Sequence, residues 1–149
     1  GLGFLRSAPA VHNVSEQSVS HIKLPPAYGP PVGHIAAPAK ADLLAYGAYL
    51  AGPVGHCLEC HSPPTDHGAD LSRAGQGGMQ FRGPWGVSVA ADITARGIGD
   101  WNNTEIEHAI RDGVARDGRK LMPPMAYAYY KGIAPDDMAA LIAYLRTLR

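Results

Sequence analysis

The chain lacks most of what would mark a catalyst or a membrane span. Cys57 and Cys60 are its only cysteines, so no disulfide framework is available and no zinc site can draw on two cysteine pairs. No run of eighteen apolar residues occurs, which excludes a transmembrane helix within these residues. Charge of one sign is missing as well: thirteen Lys and Arg balance thirteen Asp and Glu in 149 residues. That balance gives no sign of a nucleic-acid binder or of a strongly charge-steered partner. No nucleophile or catalytic dyad stands out. The chain also does not begin with methionine. Gly1-Leu2-Gly3-Phe4-Leu5 is what a signal peptide or an upstream anchor is expected to leave behind.

What is present centres on Cys57-Leu58-Glu59-Cys60-His61. C-x-x-C-H is the attachment sequence for c-type haem. Thiols three positions apart lie on one face of a helical turn, where both can bond the vinyl groups of one porphyrin. His61 follows at the position from which an imidazole can ligate the iron. A redox dithiol needs no such histidine and suits a βαβ setting, which the sequence does not offer. A zinc site would have to recruit His56, His61 or His67 without further cysteines. The expected cofactor is therefore one covalent haem c, since no thiols remain for a second.

The chain divides near residue 38. Before it, six prolines interrupt a segment with no periodicity, and proline favours extended backbone. Residues 1–38 read as an extended arm or linker, and residues 39–149 as one domain. The histidines of the arm, His12, His21 and His34, read as solvated. From Lys40 to Leu50, Leu43, Leu44, Gly47 and Leu50 form an apolar stripe that Gly52-Pro53 should stop. Residues 62–99, rich in glycine, read as a long loop, which is unusual in a compact domain unless it packs on something such as a cofactor. Thr104 to Glu107 suggest a capping box for a helix with Ile106, Ala109 and Ile110 inward, ended by Gly113. Pro135-Asp136-Asp137 opens a last helix with Met138, Leu141, Ile142, Leu145 and Leu148 on one face. The fold class is mostly α around one cofactor.

A second axial ligand is expected to be a methionine, whose soft thioether favours ferrous iron. Met138 lies on the core stripe, and Met79 sits in a loop with nothing local to fix it. Met122 and Met125 flank Pro123-Pro124, a stiff segment able to hold a sulfur in place; the residues alone leave both open. Trp85, Trp101, Tyr127 and Tyr130 suit the lining of a haem, each apolar with one polar tip. Arg82 suits a propionate.

Several stretches carry a further likeness: Gly47-Ala48-Tyr49-Leu50, Cys57 to His61, Asp92-Ile93-Thr94, Gly97 to Trp101, Glu105-Ile106, Ala109 to Gly113, Asp117-Gly118, Leu121 to Met125 and Asp137 to Leu148. From about Tyr46 to Arg149 the chain resembles the bacterial class I cytochrome c domains that accept electrons in periplasmic dehydrogenases, such as the cytochrome subunits of alcohol and gluconate dehydrogenases. The resemblance implies a single-haem class I cytochrome c fold. In that family the ligand methionine follows a proline and is trailed by a tyrosine, which assigns Met125 through Pro123-Pro124-Met125-Ala126-Tyr127. Gly83-Pro84 resembles the family's Gly-Pro, implying that the Pro84 carbonyl accepts a hydrogen bond from the His61 ring. The chain departs from the family in having Asp92 where asparagine is usual, and Ala126 where proline is usual.

The expected function is electron transfer, with a dehydrogenase subunit or terminal oxidase as redox partner, in the periplasm or at its membrane. The alternative is a haem enzyme or gas sensor with a labile or missing sixth ligand. The arm carries spaced apolar anchors, among them Phe4, Val11, Ile22 and Tyr28, as a strap lying across a surface would; its stiffness limits the entropy lost on docking. Deleting residues 1–36 is expected to leave the haem spectrum and potential nearly unchanged while weakening assembly with a partner or membrane. Loss of haem incorporation in that deletion would instead make the arm part of the fold.

Overall fold

The structure, a computed structural model, describes residues 33–149. The expected arm thus lies mostly outside the described residues; its last part, residues 33–38, carries no regular structure. A compact unit runs from Ala36 to Arg149.

Helix α1, Leu43–Tyr49, starts where the Asp42 carboxylate accepts from the Ala45 amide at 3.1 Å, an N-cap that satisfies one free donor. The stripe expected along it is shifted. Leu43 and Leu44 are about half exposed, whereas Gly47 and Ala51 are buried. Nor does Gly52-Pro53 stop the helix. It continues as a π-helical turn, Leu50–Val54. Pro53 has no N–H to give, and the Gly55 amide instead bonds the Leu50 carbonyl five residues back, at 2.8 Å.

A one-turn helix α2, Cys57–Cys60, follows. The segment expected to be loop contains two small antiparallel hairpins. In the first, β1 (Pro64–Thr65) pairs with β2 (Gly68–Ala69). In the second, β3 (Gln80–Gly83) pairs with β4 (Gly86–Val89), register Phe81↔Ser88 and Arg82↔Val87. A short 3₁₀ turn, Leu71–Arg73, lies between them. Strands this short and this rich in glycine leave no alternating pattern in the sequence.

Helix α3, Ala95–Ile98, is capped by Thr94. Helix α4, Asn103–Asp112, carries a capping box, but on Asn102 and Glu105 rather than Thr104 and Glu107. The Glu105 amide donates to Asn102 Oδ1 at 2.9 Å and the Asn102 amide to Glu105 Oε2 at 2.8 Å. Gly113 ends α4 in a left-handed conformation, as expected. Helix α5 is Tyr127–Tyr130, and α6, Pro135–Leu145, has proline and two acids in its first turn.

Helix α6 supplies most of the core: Met138, Leu141, Ile142 and Leu145 are buried with Ala51, Ile98, Ile106 and Leu148. It packs chiefly on α1 and also meets α4. Arg146 ties the end of α6 to the entry of α4, donating to the Trp101 carbonyl at 2.7 Å and to Asn103 Oδ1 at 2.9 Å.

Gly47 marks the closest approach of α1 and α6. A Cβ there would run into the Ala140 carbonyl and stand 2.7 Å from Tyr144 Cβ. Because backbone cannot swing aside, Gly47→Ala is expected to cost roughly 2–3 kcal/mol, in the range of overpacked cores. Leu43→Ala, at an exposed position, is expected to cost less than about 0.5 kcal/mol. Urea unfolding of the two variants checks both.

Candidate haem site

The site grows from the turn at His56. This residue adopts a left-handed conformation, φ 54°, which costs a non-glycine residue on the order of 1–2 kcal/mol. The reversal ends the π-helical turn and begins α2. Its Nδ1 donates to Glu59 Oε1 at 2.8 Å, and the His61 amide closes the turn on the Cys57 carbonyl at 2.9 Å. Cys57 and Cys60 therefore stand three positions apart on one helical turn, with His61 as its final residue.

Both thiols are free and partly buried. Burial pushes the Cys57 thiol up to about 11. Burial also raises Cys60, with the Glu59 charge adding to it. A redox-active C-x-x-C needs the opposite, a thiolate favoured by nearby positive charge. Among the described residues, no three His, Cys, Asp or Glu side chains gather to hold a metal ion, so zinc has no donor cluster here either.

The His61 ring is oriented from thirty residues away: its Nδ1 lies 2.7 Å from the Ala91 carbonyl oxygen. A carbonyl can only accept, so Nδ1 carries the proton and Nε2 keeps its lone pair. Burial holds His61 below its ordinary value, against the upward pull of the Ala91 carbonyl. Neutral imidazole with one nitrogen free is the form that ligates iron.

Here the structure corrects an expectation. The acceptor for the ring belongs to Ala91, not Pro84. Pro84 and Trp85 make the exposed turn between β3 and β4, a corner to which the fixed φ of proline is suited. The chain then runs back along β4 and passes His61 on leaving it. Gly77 makes room for this crossing. Its amide donates to the His61 carbonyl at 2.9 Å, and a Cβ on it would stand 2.7 Å from the Ala91 oxygen.

The other predicted residues are distributed as follows. Met138 is in the core, Met122 is 42% exposed, and Met79 and Met125 are half-buried. The Ser88 hydroxyl of β4 donates to the Pro123 carbonyl, pinning the segment that leads to Met125. Trp101 packs against the core. The Tyr127 ring lies over Gly113, where a Cβ would meet its Cγ at 2.6 Å. Arg82 is exposed.

Tyr130 donates to the Gly55 carbonyl at 2.7 Å. Burial raises its phenol, and proximity to both cysteines adds to this. Tyr144, raised by burial and by Cys57, joins the site without a sequence signal beyond its place on α6. Nothing in the sequence could have named Ala91, because a backbone carbonyl has no residue type.

Two thiols on one turn, followed by an oriented neutral imidazole, form the donor set of a covalent haem-binding domain, and the residues present fit that group. The comparisons with known proteins agree. A cytochrome c family profile matches residues 44–149. The gluconate 2-dehydrogenase cytochrome c subunit of Pantoea cypripedii is 36% identical over 112 residues, 71% of this chain and 23% of that protein. The alcohol dehydrogenase (quinone) cytochrome c subunit of Gluconacetobacter polyoxogenes is 34% identical over 109 residues, 71% and 22% respectively. The fructose dehydrogenase cytochrome subunit of Gluconobacter japonicus is 32% identical over 114 residues, 74% and 22% respectively. The chain spans less than a quarter of the length of these relatives. It belongs to the cytochrome c family, and with the family come covalent haem c and electron transfer.

Cys57→Ala and Cys60→Ala are each expected to leave one thioether, and the double variant none. Acid–acetone extraction should therefore remove haem from the double variant alone, read as loss of the haem band from the protein fraction.

Proposed function

We propose that this chain carries electrons on a single haem c, bonded through Cys57 and Cys60, with His61 and Met125 as axial ligands. The observation that carries the reading is the His61–Ala91 hydrogen bond, which frees Nε2 on the residue next to the paired thiols. When bound, the haem supplies a one-electron ferric/ferrous couple. The residues of the chain do the rest. Ala91 orients and polarises the imidazole, and Pro123-Pro124, held by Ser88, presents the Met125 thioether with little freedom left to lose. Met122 stands toward solvent and is the weaker choice. On this reading Trp101 and Tyr127 line the cofactor.

Held by His61 and Met125 together, the haem would pass single electrons and leave no position for a substrate. The similarity to dehydrogenase cytochrome subunits supports a place as the electron-accepting subunit or domain of such a complex, discharging to a terminal acceptor. Because haem is attached covalently outside the bacterial cytoplasm, the proposed location is the periplasm. Among the described residues no helix is long and apolar enough to cross a membrane. Membrane association would come through the complex or an upstream anchor.

Met125→Ala is expected to abolish the weak ferric band near the red edge of the visible spectrum and to lower the reduction potential. Met122→Ala should change both only slightly. The reverse pattern would move the ligand to Met122. A pyridine haemochrome assay should give one haem per chain, and a higher ratio would overturn that part of the reading.

A further inference from the structure

The carbonyl that holds the His61 ring is part of the peptide joining Ala91 to Asp92. That unit is planar and includes the Asp92 nitrogen and Cα, so contacts that hold Asp92 leave the carbonyl only the rotation about the Asp92 N–Cα bond. Asp92 is held at both carboxylate oxygens. Oδ1 accepts from the Thr94 amide at 2.8 Å and from the Thr94 hydroxyl at 2.6 Å. Oδ2 accepts from Arg96 Nε at 2.8 Å and from its terminal nitrogen at 2.7 Å. Thr94 is 1% exposed, and its Oγ1 also caps α3 by accepting from the Arg96 amide at 3.2 Å. The next residue, Ile93, donates from its amide to the Gly75 carbonyl at 2.8 Å. Gly97 lies so close to the Asp92 carbonyl that no Cβ fits there.

We propose that Asp92 is a positioning residue for the His61 imidazole, acting through the Ala91 carbonyl, and that Arg96 balances its charge. The inference rests on His61 being an iron ligand. A carboxylate one residue from the carbonyl that holds the proposed ligand favours the ferric state and lowers the potential; a guanidinium does the opposite. The pair cancels this effect while keeping the charge-assisted hydrogen bonds that lock the peptide. Arg96 is largely solvated, which weakens its influence without changing the sign.

The test is the reduction potential of the holoprotein at one pH and ionic strength, alongside the paramagnetic NMR signals of the axial histidine. Asp92→Asn keeps an Oδ1 acceptor for Thr94 and should raise the potential with the histidine signals unchanged. Arg96→Gln should lower it, and the double variant should return most of the way to the parent value. Asp92→Ala, which removes the clasp, should shift or broaden the histidine signals, and Asp92→Asn should restore them. Shifts of the same sign in the two single variants, or no shift in either, would overturn the proposal, as would unchanged histidine signals in Asp92→Ala. If the parent protein itself shows no axial-histidine signals, the ligand assignment beneath the proposal fails.

Discussion

One hydrogen bond organises the site: His61 Nδ1 to the carbonyl of Ala91. As stability it is modest, about 1 kcal/mol net for a bond of this type. Its importance is selective. It decides which ring nitrogen is free, and it holds the ring in one orientation relative to the thiols at positions 57 and 60. The segment from residue 62 to residue 90 can be understood as what is needed to bring residue 91 back to residue 61. Along that return Gly75, Gly77 and Gly78 bond Ile93, His61 and Ala90 backbone to backbone.

The molecule separates two tasks. Helix α6, with Ile106 of α4, Ile98 of α3 and Ala51 of the π-helical turn, buries the apolar core, which supplies most of the favourable free energy of folding. The irregular stretch between α2 and α3 adds only a few residues to that core, such as Ala74 and Ile93. It is ordered mainly by hydrogen bonds, two short ladders and capped turns. A core of regular helices tolerates small shifts, while a site needs atoms in fixed directions, and backbone bonds give direction where apolar contact does not.

What could be read from the sequence follows the same division. The Cys57–His61 turn, the proline start of α6, its core stripe and the glycine end of α4 are legible because each rests on residue chemistry at fixed spacing. The capping box falls elsewhere than expected because two overlapping patterns, from Asn102 to Glu105 and from Thr104 to Glu107, are equally good locally. Tertiary contact decides between them, with Arg146 holding the Trp101 carbonyl just ahead of Asn102. Leu43 and Leu44 fit a helical stripe, yet the nearest packing partner of α1 meets it at Gly47 instead. The family likeness points to Pro84 for a bond that belongs to Ala91, since that bond uses only a backbone oxygen and leaves no mark on residue type.

The β3–β4 hairpin touches both sides of the site. At Ser88 it grips the carbonyl of Pro123, two residues before Met125, and just past its end it presents Ala91 to His61. Only Val89 and Ala90 separate the two grips. On the proposed ligation the ribbon works as a yoke, setting the span between His61 and the segment that leads to Met125. Chain length is accordingly free to vary in some places and not in others. An extra residue in the β1–β2 turn lies outside both grips, whereas one inserted between Ser88 and Ala91 would turn the carbonyl toward the opposite edge of the strand and uncouple the two at once.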